Sequence, residues 1–222
     1  MDNGGEIMYN IIEREKIITI VRGVPKDKLI PLAKSMYDGG IRIMECTFDA
    51  TGKIADEEIA SNIEMLASEF DGKMFVGAGT GLSAEQVELT KKAGGRFIIS
   101  PDTNVDIIKL SKKLGLVSIP GAATPSEIAC AHRAGADYVK VFPVNFLGGA
   151  DYIKTIKAPL SNTKLLAVNG ITPHNMNEYL NAGASGVGVG SGIVNKKLIE
   201  NNDFEQIKQL AKLYVDIVKE CE

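Results

Sequence analysis

Short runs of β-branched and aliphatic residues alternate with longer amphipathic segments along most of the chain, and this alternation restricts the possible folds more than any other feature. The predicted strands are Ile17–Arg22, Ile41–Thr47, Phe75–Ala78, Phe97–Ser100, Leu116–Ile119, Tyr138–Phe142, Lys164–Val168 and Gly186–Gly190. Between them apolar residues recur at helical spacing, as in Leu29, Leu32, Ala33 and Met36. Strand-then-helix units in series predict a parallel sheet covered by helices.

The predicted fold is a TIM (β/α)8 barrel, which is an α/β fold, with an N-terminal helix. Eight parallel strands could also form an open doubly wound sheet, but no Gly-x-Gly-x-x-Gly follows the first strand, where a dinucleotide-binding sheet carries it. Ile7, Met8, Ile11 and Ile12 recur at helical spacing before the first strand, and we expect this helix to plug the base of the barrel. A last amphipathic segment, Phe204–Val218, is expected to close the outer ring.

Length and composition narrow the class of protein further. One α/β barrel fits 222 residues comfortably, so we expect a single domain over residues 1–222. The 25 Lys and Arg residues nearly balance the 28 Asp and Glu residues, which predicts no surface for nucleic acid or membrane. No basic leader opens the chain, no apolar run reaches the roughly 20 residues of a membrane span, and the three cysteines show no Cys-x-x-Cys spacing. We therefore expect a cytoplasmic protein without a disulfide framework or a metal site.

Lys140 is the most informative polar residue, because it interrupts the apolar strand Tyr138–Phe142. In such barrels the active site is built at the carboxyl ends of the strands, and Lys140 lies near one of these ends. Desolvation lowers the pKa of a lysine and leaves a neutral amine, which is the form that attacks a substrate carbonyl. The alternative is that Lys140 forms a structural ion pair with a carboxylate inside the barrel.

Glu45 interrupts a second apolar strand in the same way. Period-two alternation places it on one face with Ile43 and Thr47, so its carboxyl group and Lys140 are expected to face each other inside the barrel. Carbinolamine chemistry needs a proton shuttle beside the amine, and a carboxyl group with a raised pKa can provide one. The two residues together favour catalysis by an amine nucleophile over a purely structural ion pair.

The last two predicted strands end in small residues that suit an anion. Asn169-Gly170-Ile171-Thr172 and Gly188-Val189-Gly190-Ser191-Gly192 place backbone N–H groups where they could surround a phosphate. Barrels of this class often bind phosphate at these two loops. The alternative interpretation is that both segments are tight strand-to-helix turns.

Five motifs in a fixed order make the chain similar to a known family. They are Gly39-Gly40-Ile41-Arg42-Ile43-Met44-Glu45-Cys46-Thr47, Val76-Gly77-Ala78-Gly79-Thr80, Ile99-Ser100-Pro101, Ile119-Pro120-Gly121 and Lys140-Val141-Phe142-Pro143. With these motifs the segment Ile17–Val194 resembles the 2-keto-3-deoxy-6-phosphogluconate (KDPG) aldolases, which often also act on 4-hydroxy-2-oxoglutarate (KHG).

The resemblance implies a class I aldolase, usually a homotrimer, that needs no metal or other cofactor. Lys140 matches the lysine that forms a Schiff base with the C2 carbonyl of the keto acid, and Glu45 matches the general acid and base. Thr80 and Pro101 match the pyruvyl site, Phe142 matches an aromatic wall, and Gly170 with Ser191 match the phosphate site. With the other strand-end residues, the predicted substrate contacts are Arg22, Thr47, Thr80, Pro101, Phe142, Asn169, Gly170, Gly190 and Ser191.

Two positions depart from the family pattern. Many relatives have a Glu-x-Thr-x-Arg sequence whose arginine holds the substrate carboxylate, whereas this chain has Asp49 there. Arg22 is the predicted replacement, because it resembles an arginine of other members and can bind a carboxylate. Relatives often have Thr-Gly-Gly at the phosphate site, where this chain has Val168-Asn169-Gly170. Either the phosphate affinity is weaker here or the Asn169 amide donates to the phosphate.

Two other functions stay open from the sequence. A sugar-phosphate epimerase or isomerase would share the glycine-rich strand ends, but it would not need Lys140 as a nucleophile. A non-catalytic sugar-acid-binding protein is favoured only by Asp49. In the preferred interpretation the partner is a small keto acid, cleaved between C3 and C4: KDPG would yield pyruvate and glyceraldehyde 3-phosphate, and KHG would yield pyruvate and glyoxylate.

Overall fold

The structure, a computed structural model, describes residues 11–220, in which parallel strands alternate with helices. Residues 11–15 form the described part of helix α1. The following elements are β1 (Ile17–Val21), α2 (Lys26–Asp38), β2 (Ile43–Thr47), α3 (Asp56–Glu69), β3 (Phe75–Gly79), α4 (Ala84–Lys92), β4 (Phe97–Ile99), α5 (Val105–Lys113), β5 (Val117–Ile119), β6 (Gly121–Ala122), α6 (Pro125–Arg133), β7 (Val139–Val141), a 3-10 turn (Val144–Leu147), α7 (Gly149–Lys157), β8 (Leu165–Val168), α8 (Met176–Asn181), β9 (Gly186–Val189), α9 (Lys196–Glu200) and α10 (Phe204–Glu220). Each predicted strand is present.

The short segments β5 and β6 are two halves of the fifth barrel strand. Pro120 lies between them and has no N–H group to give to the sheet. β5 pairs with β4 and β6 pairs with β7, so the sheet order β5-β4-β3-β2-β1-β9-β8-β7-β6 begins and ends on the same strand. The backbone N–H of Lys140 donates to the Pro120 carbonyl oxygen at 2.8 Å and continues the ladder across the break. The predicted (β/α)8 barrel is therefore confirmed.

One face of the strands fills the interior of the barrel. Because side chains alternate along a strand, residues two positions apart point inward. The inner core consists of Ile11, Ile12, Ile18, Ile43, Phe97, Ile99, Val117, Ile119, Tyr138, Leu166 and Val168. Gly77 on β3 leaves space for the Phe97 ring, since a Cβ atom at this glycine would collide with it. The outward faces of the strands pack against the helices in a second, larger core.

Helix α1 plugs the base of the barrel, as predicted. Ile12 is fully buried among the inner residues of the strands. Glu13 accepts a hydrogen bond from the Tyr138 hydroxyl at 2.7 Å and lies 3.0 Å from the Lys164 ammonium, which ties the helix to the start of two neighbouring strands. Ile7 and Met8 of the predicted helix lie outside the described residues.

Helix α10 closes the outer ring against α2. Its buried face consists of Ile207, Ala211, Tyr214 and Val218. Gly39 allows the two helices to approach closely, because a Cβ atom there would lie 2.6 Å from the Ala211 Cβ atom. No helix within residues 11–220 is long and apolar enough to cross a membrane.

Candidate active site

Lys140 and Glu45 line the same small cavity inside the barrel. Lys140 is the middle residue of β7 and Glu45 is the middle residue of β2, and the two side chains are 9% and 2% exposed. The rest of the cavity wall is apolar and consists of Ile18, Ile20, Ile99, Ile119, Leu166, Val168 and Gly188. The two ionisable groups are therefore the polar part of an otherwise aliphatic cavity.

Burial shifts the pKa of each group toward its neutral form. Desolvation raises the pKa of Glu45, while the Lys140 ammonium, the Thr47 hydroxyl and Arg22 act in the opposite direction. Desolvation lowers the pKa of Lys140, Glu45 opposes this shift, and Arg22 adds to it. The cavity thus favours an uncharged amine beside a carboxyl group that can hold a proton, which is the combination that Schiff-base chemistry needs.

Thr47 and Gly79 orient the Glu45 carboxyl group. The Thr47 hydroxyl, predicted as a substrate contact, is buried and donates to Glu45 Oε1 at 3.0 Å. Glu45 Oε2 is also buried and accepts no hydrogen bond from any described residue. Gly79 pairs with Thr47 across β2 and β3, and a Cβ atom at this glycine would collide with the Glu45 carboxyl group. A glycine inside a strand often marks such a close approach, but the sequence did not reveal what approached Gly79.

Replacing Gly79 with alanine is expected to lower kcat at least about tenfold, because Glu45 is the predicted general acid and base, and a displaced proton-transfer group loses part of its catalytic contribution. The added methyl group would push the Glu45 carboxyl group away from its present position. Steady-state kinetics and thermal melting would measure the effect. The control is Ala78→Gly on the same strand, which opens space in the outer core and should lower the melting temperature without lowering kcat. Unchanged kcat in Gly79→Ala would contradict the role of this glycine.

Arg22 and Thr80 meet at the ends of β1 and β3. Arg22 Nη2 donates to the Thr80 hydroxyl at 3.2 Å. Thr80 has a φ of 56°, in the left-handed region that a β-branched residue rarely adopts. Such local strain is held in place by the surrounding structure and is concentrated at functional sites. Both side chains, with Thr47, line a groove beside the Glu45 end of the site.

Asp49 organises the loop that follows β2. Its carboxylate accepts hydrogen bonds from the backbone N–H groups of Thr51, Lys53 and Ile54, and from the Thr51 hydroxyl. These bonds, first of all those from Thr51, hold the pKa of Asp49 below its ordinary value. At the position where the Glu-x-Thr-x-Arg pattern has an arginine, this chain therefore has a carboxylate that stabilises the loop after β2 through hydrogen bonds.

Phe142 and Pro101 stand at the ends of two other strands. The Phe142 ring centre lies 4.7 Å from Lys140 Nζ, so the aromatic ring stands beside the amine. Pro101 follows β4, and a Cβ atom at Gly121 would collide with its carbonyl group. The hydroxyl of the preceding Ser100 donates to the Gly81 carbonyl oxygen at 2.7 Å and links the loops after β3 and β4.

Asn169, Gly170, Gly190 and Ser191 follow β8 and β9, which pair in parallel. Each lies within three residues of Val168 or Gly188, which line the cavity of Lys140 and Glu45. Asn169 and Gly170 have φ values of 91° and 73°, so the chain turns sharply here. The structure adds one residue that no pattern in the sequence had indicated. Asn145, after β7, accepts a hydrogen bond from the Asn169 amide at 2.6 Å.

The fold and this cavity define a class of protein, the (β/α)8-barrel lyases with a lysine and a carboxyl group buried side by side. The family model for KDPG and KHG aldolases matches residues 8–210. The chain therefore belongs to the KDPG and KHG aldolase family.

Individual relatives agree with this assignment over most of the chain. The chain is 33% identical over 207 residues to the 2-dehydro-3-deoxy-phosphogluconate aldolase of Haemophilus influenzae, covering 92% of this chain and 93% of the relative. It is 29% identical to the 2-dehydro-3-deoxy-6-phosphogalactonate aldolase of Escherichia coli, covering 91% and 96%. The crystal structure of KDPG aldolase from Legionella pneumophila, with pyruvate captured as a covalent carbinolamine, matches with a TM-score of 0.82 and 27% identity over 92% of this chain and 96% of that one.

Proposed function

We propose that this chain is a class I aldolase that cleaves KDPG into pyruvate and glyceraldehyde 3-phosphate, and KHG into pyruvate and glyoxylate. The observation that carries the proposal is the shared cavity of Lys140 and Glu45. The carbinolamine captured in the Legionella pneumophila relative supports it. An epimerase, an isomerase or a binding protein has no need for a desolvated lysine beside a buried carboxyl group.

In the proposed mechanism Lys140 Nζ attacks the C2 carbonyl of the keto acid and forms a carbinolamine. Glu45 donates a proton to the departing hydroxyl group, and loss of water leaves a protonated Schiff base. The Glu45 carboxylate then takes the proton of the C4 hydroxyl as the bond between C3 and C4 breaks. The bonding electrons move into the iminium group and form an enamine, and the aldehyde leaves. Glu45 returns the proton to C3 through a water molecule, and hydrolysis releases pyruvate and restores the amine.

The remaining predicted residues hold the two ends of the substrate in this proposal. Arg22 and Thr80 bind the carboxylate of the pyruvyl end, because they already meet in a hydrogen bond beside Glu45. Thr47 acts through Glu45, and Pro101 with Phe142 shape the walls. The backbone at Gly170, Gly190 and Ser191 binds the phosphate, with Asn169 beside it.

The proposal also covers assembly and cellular role. We expect a homotrimer in the cytoplasm that works in carbohydrate metabolism, in the Entner–Doudoroff pathway. Membership of the KDPG aldolase family supports the pathway, and the homotrimer is the assembly that the sequence resemblance implies. Cys46 and Cys130 are free thiols, which agrees with a reducing compartment.

The direct test is to incubate the protein with pyruvate and borohydride and to map the product by mass spectrometry. Borohydride reduces a Schiff base to a stable amine, so we expect one reduced pyruvyl group on the peptide that contains Lys140. The same treatment without pyruvate is the control. An unmodified protein, or an adduct only on a different lysine, would refute the proposed mechanism.

A further inference from the structure

The amide groups of Asn145 and Asn169 form a bridge between the loops after β7 and β8. Asn169 Nδ2 donates to Asn145 Oδ1 at 2.6 Å. Asn169 adopts a left-handed φ of 91°, which asparagine tolerates better than most residues other than glycine. Asn145 lies directly over Gly170, where a Cβ atom would be 2.9 Å from the Asn145 Cβ and Cγ atoms. The bridge therefore depends on a glycine at position 170.

This bridge leaves the whole NH2 group of one amide and the carbonyl oxygen of the other outside the bond that joins the pair. The Asn145 Oδ1 atom and one Asn169 N–H group are engaged with each other, so Asn145 Nδ2 and Asn169 Oδ1 remain to contact a ligand. The same count holds if both amide groups are turned over, because an amide–amide bond always leaves one donor group and one carbonyl group. A hydroxyl group both donates and accepts, and so it matches such a pair.

Phosphate matches the pair less well, because a phosphate oxygen accepts hydrogen bonds and is repelled by a carbonyl oxygen. The chemistry of the bridge therefore points to a neutral, hydroxylated part of a ligand.

The position of the bridge indicates which end of the substrate it contacts. Lys140 pairs with Leu166 on β8, and Asn169 lies three residues further along, which is about 10 Å toward the carboxyl end of the strand. Val168, the residue before Asn169, lines the cavity of Lys140. Lys140 itself holds C2 of the keto acid, so the bridge lies on the side where the rest of the substrate leaves the cavity.

We propose that Asn145 and Asn169 act as one carboxamide pair that recognises a hydroxyl group on the aldehyde side of the substrate. This inference rests on the proposed aldolase function and adds Asn145 to it as a specificity-determining residue. Asn169 thus contacts the hydroxylated aldehyde part of KDPG, and the phosphate is left to the backbone N–H groups at Gly170, Gly190 and Ser191.

The test uses the addition reaction with pyruvate and three aldehydes: glyceraldehyde 3-phosphate, glyceraldehyde and 3-hydroxypropanal, which lacks the C2 hydroxyl of glyceraldehyde. In Asn145→Ala we expect kcat/KM to fall about fivefold to tenfold for both glyceraldehydes, the effect of one neutral hydrogen bond. The value for 3-hydroxypropanal should stay unchanged. Asn169→Gly should give the same pattern, because glycine accepts the left-handed backbone without strain. The double variant should lose no more than either single one, since the two residues act as a pair.

Asn181→Ala, at the exposed end of α8, is the matched control and should behave as the wild type. An equal loss with all three aldehydes would overturn the inference in favour of loop positioning. A loss only with the phosphorylated aldehyde would overturn the inference in favour of phosphate recognition. The absence of any loss would also overturn it. Wild-type protein that forms no product with any aldehyde and no pyruvyl adduct would refute the aldolase proposal itself, whereas turnover with unchanged selectivity refutes only the role of the bridge.

Discussion

Replacing Lys140 with methionine is expected to lower kcat for KDPG cleavage by at least about 10⁴-fold, because loss of a covalent nucleophile removes the whole reaction path. Methionine keeps most of the volume of the side chain in the apolar cavity of Ile119, Leu166 and Val168. The variant should therefore fold, bind pyruvate without a covalent bond, and form no borohydride-stable adduct. Single-turnover cleavage, mass spectrometry and circular dichroism would measure these three properties.

The matched control for this variant is Lys109→Met on the exposed face of α5, which makes the same substitution on the outer surface of the barrel. It should retain full activity and full adduct formation. If Lys140→Met kept more than a few per cent of wild-type turnover while folding normally, the amine of Lys140 would not be the nucleophile, and the proposed mechanism would be wrong.

Replacing Glu45 with glutamine is expected to lower kcat by about 10²-fold to 10⁴-fold, the range for loss of a positioned general acid and base. Glutamine has nearly the same shape and can still accept the hydrogen bond from Thr47, so the site should stay assembled. Lys140 should still form an adduct with pyruvate, but more slowly. Comparing kcat with the rate of adduct formation would separate loss of the proton shuttle from loss of the nucleophile.

The pH dependence of adduct formation gives a second readout for Glu45→Gln. Glu45 raises the pKa of Lys140 against the lowering by burial, and glutamine removes this effect. The pKa of Lys140 should therefore fall further, and the neutral amine should persist to lower pH. We expect the acid side of the profile of borohydride trapping to shift to lower pH relative to the wild type. A shift to higher pH would show that Glu45 does not act on Lys140 as the structure indicates.

Much of the fold could be predicted because the decisive signals are local. Strand-and-helix alternation is a property of short segments, and the eight predicted strands correspond to the observed ones. Lys140 and Glu45 stood out for the same reason, since a charged residue in an apolar strand is visible without knowledge of its neighbours. Period-two alternation then placed Glu45 on one face of its strand with Ile43 and Thr47, from which its carboxyl group was expected to face Lys140 inside the barrel.

Other features could not be predicted because they depend on contacts between distant segments. Pro120 splits the fifth strand so that its halves pair on opposite sides, which is apparent only once β4 and β7 are in place. Gly79 matters because of the Glu45 carboxyl group on the neighbouring strand. In the sequence, Asp49 stands where many relatives have an arginine. Only the structure shows that its carboxylate accepts hydrogen bonds from the backbone of its own loop.

The sequence by itself determined the barrel and the inward-facing amine and carboxyl group, because both follow from the order of apolar and polar residues along each strand. Only the tertiary structure decided how these groups are oriented and which loops meet above them. The hydrogen bond between Asn145 and Asn169 joins residues 24 positions apart, and the one between Arg22 and Thr80 joins residues 58 positions apart. Such contacts depend on the closure of the barrel, which brings the ends of separate strands together at one site.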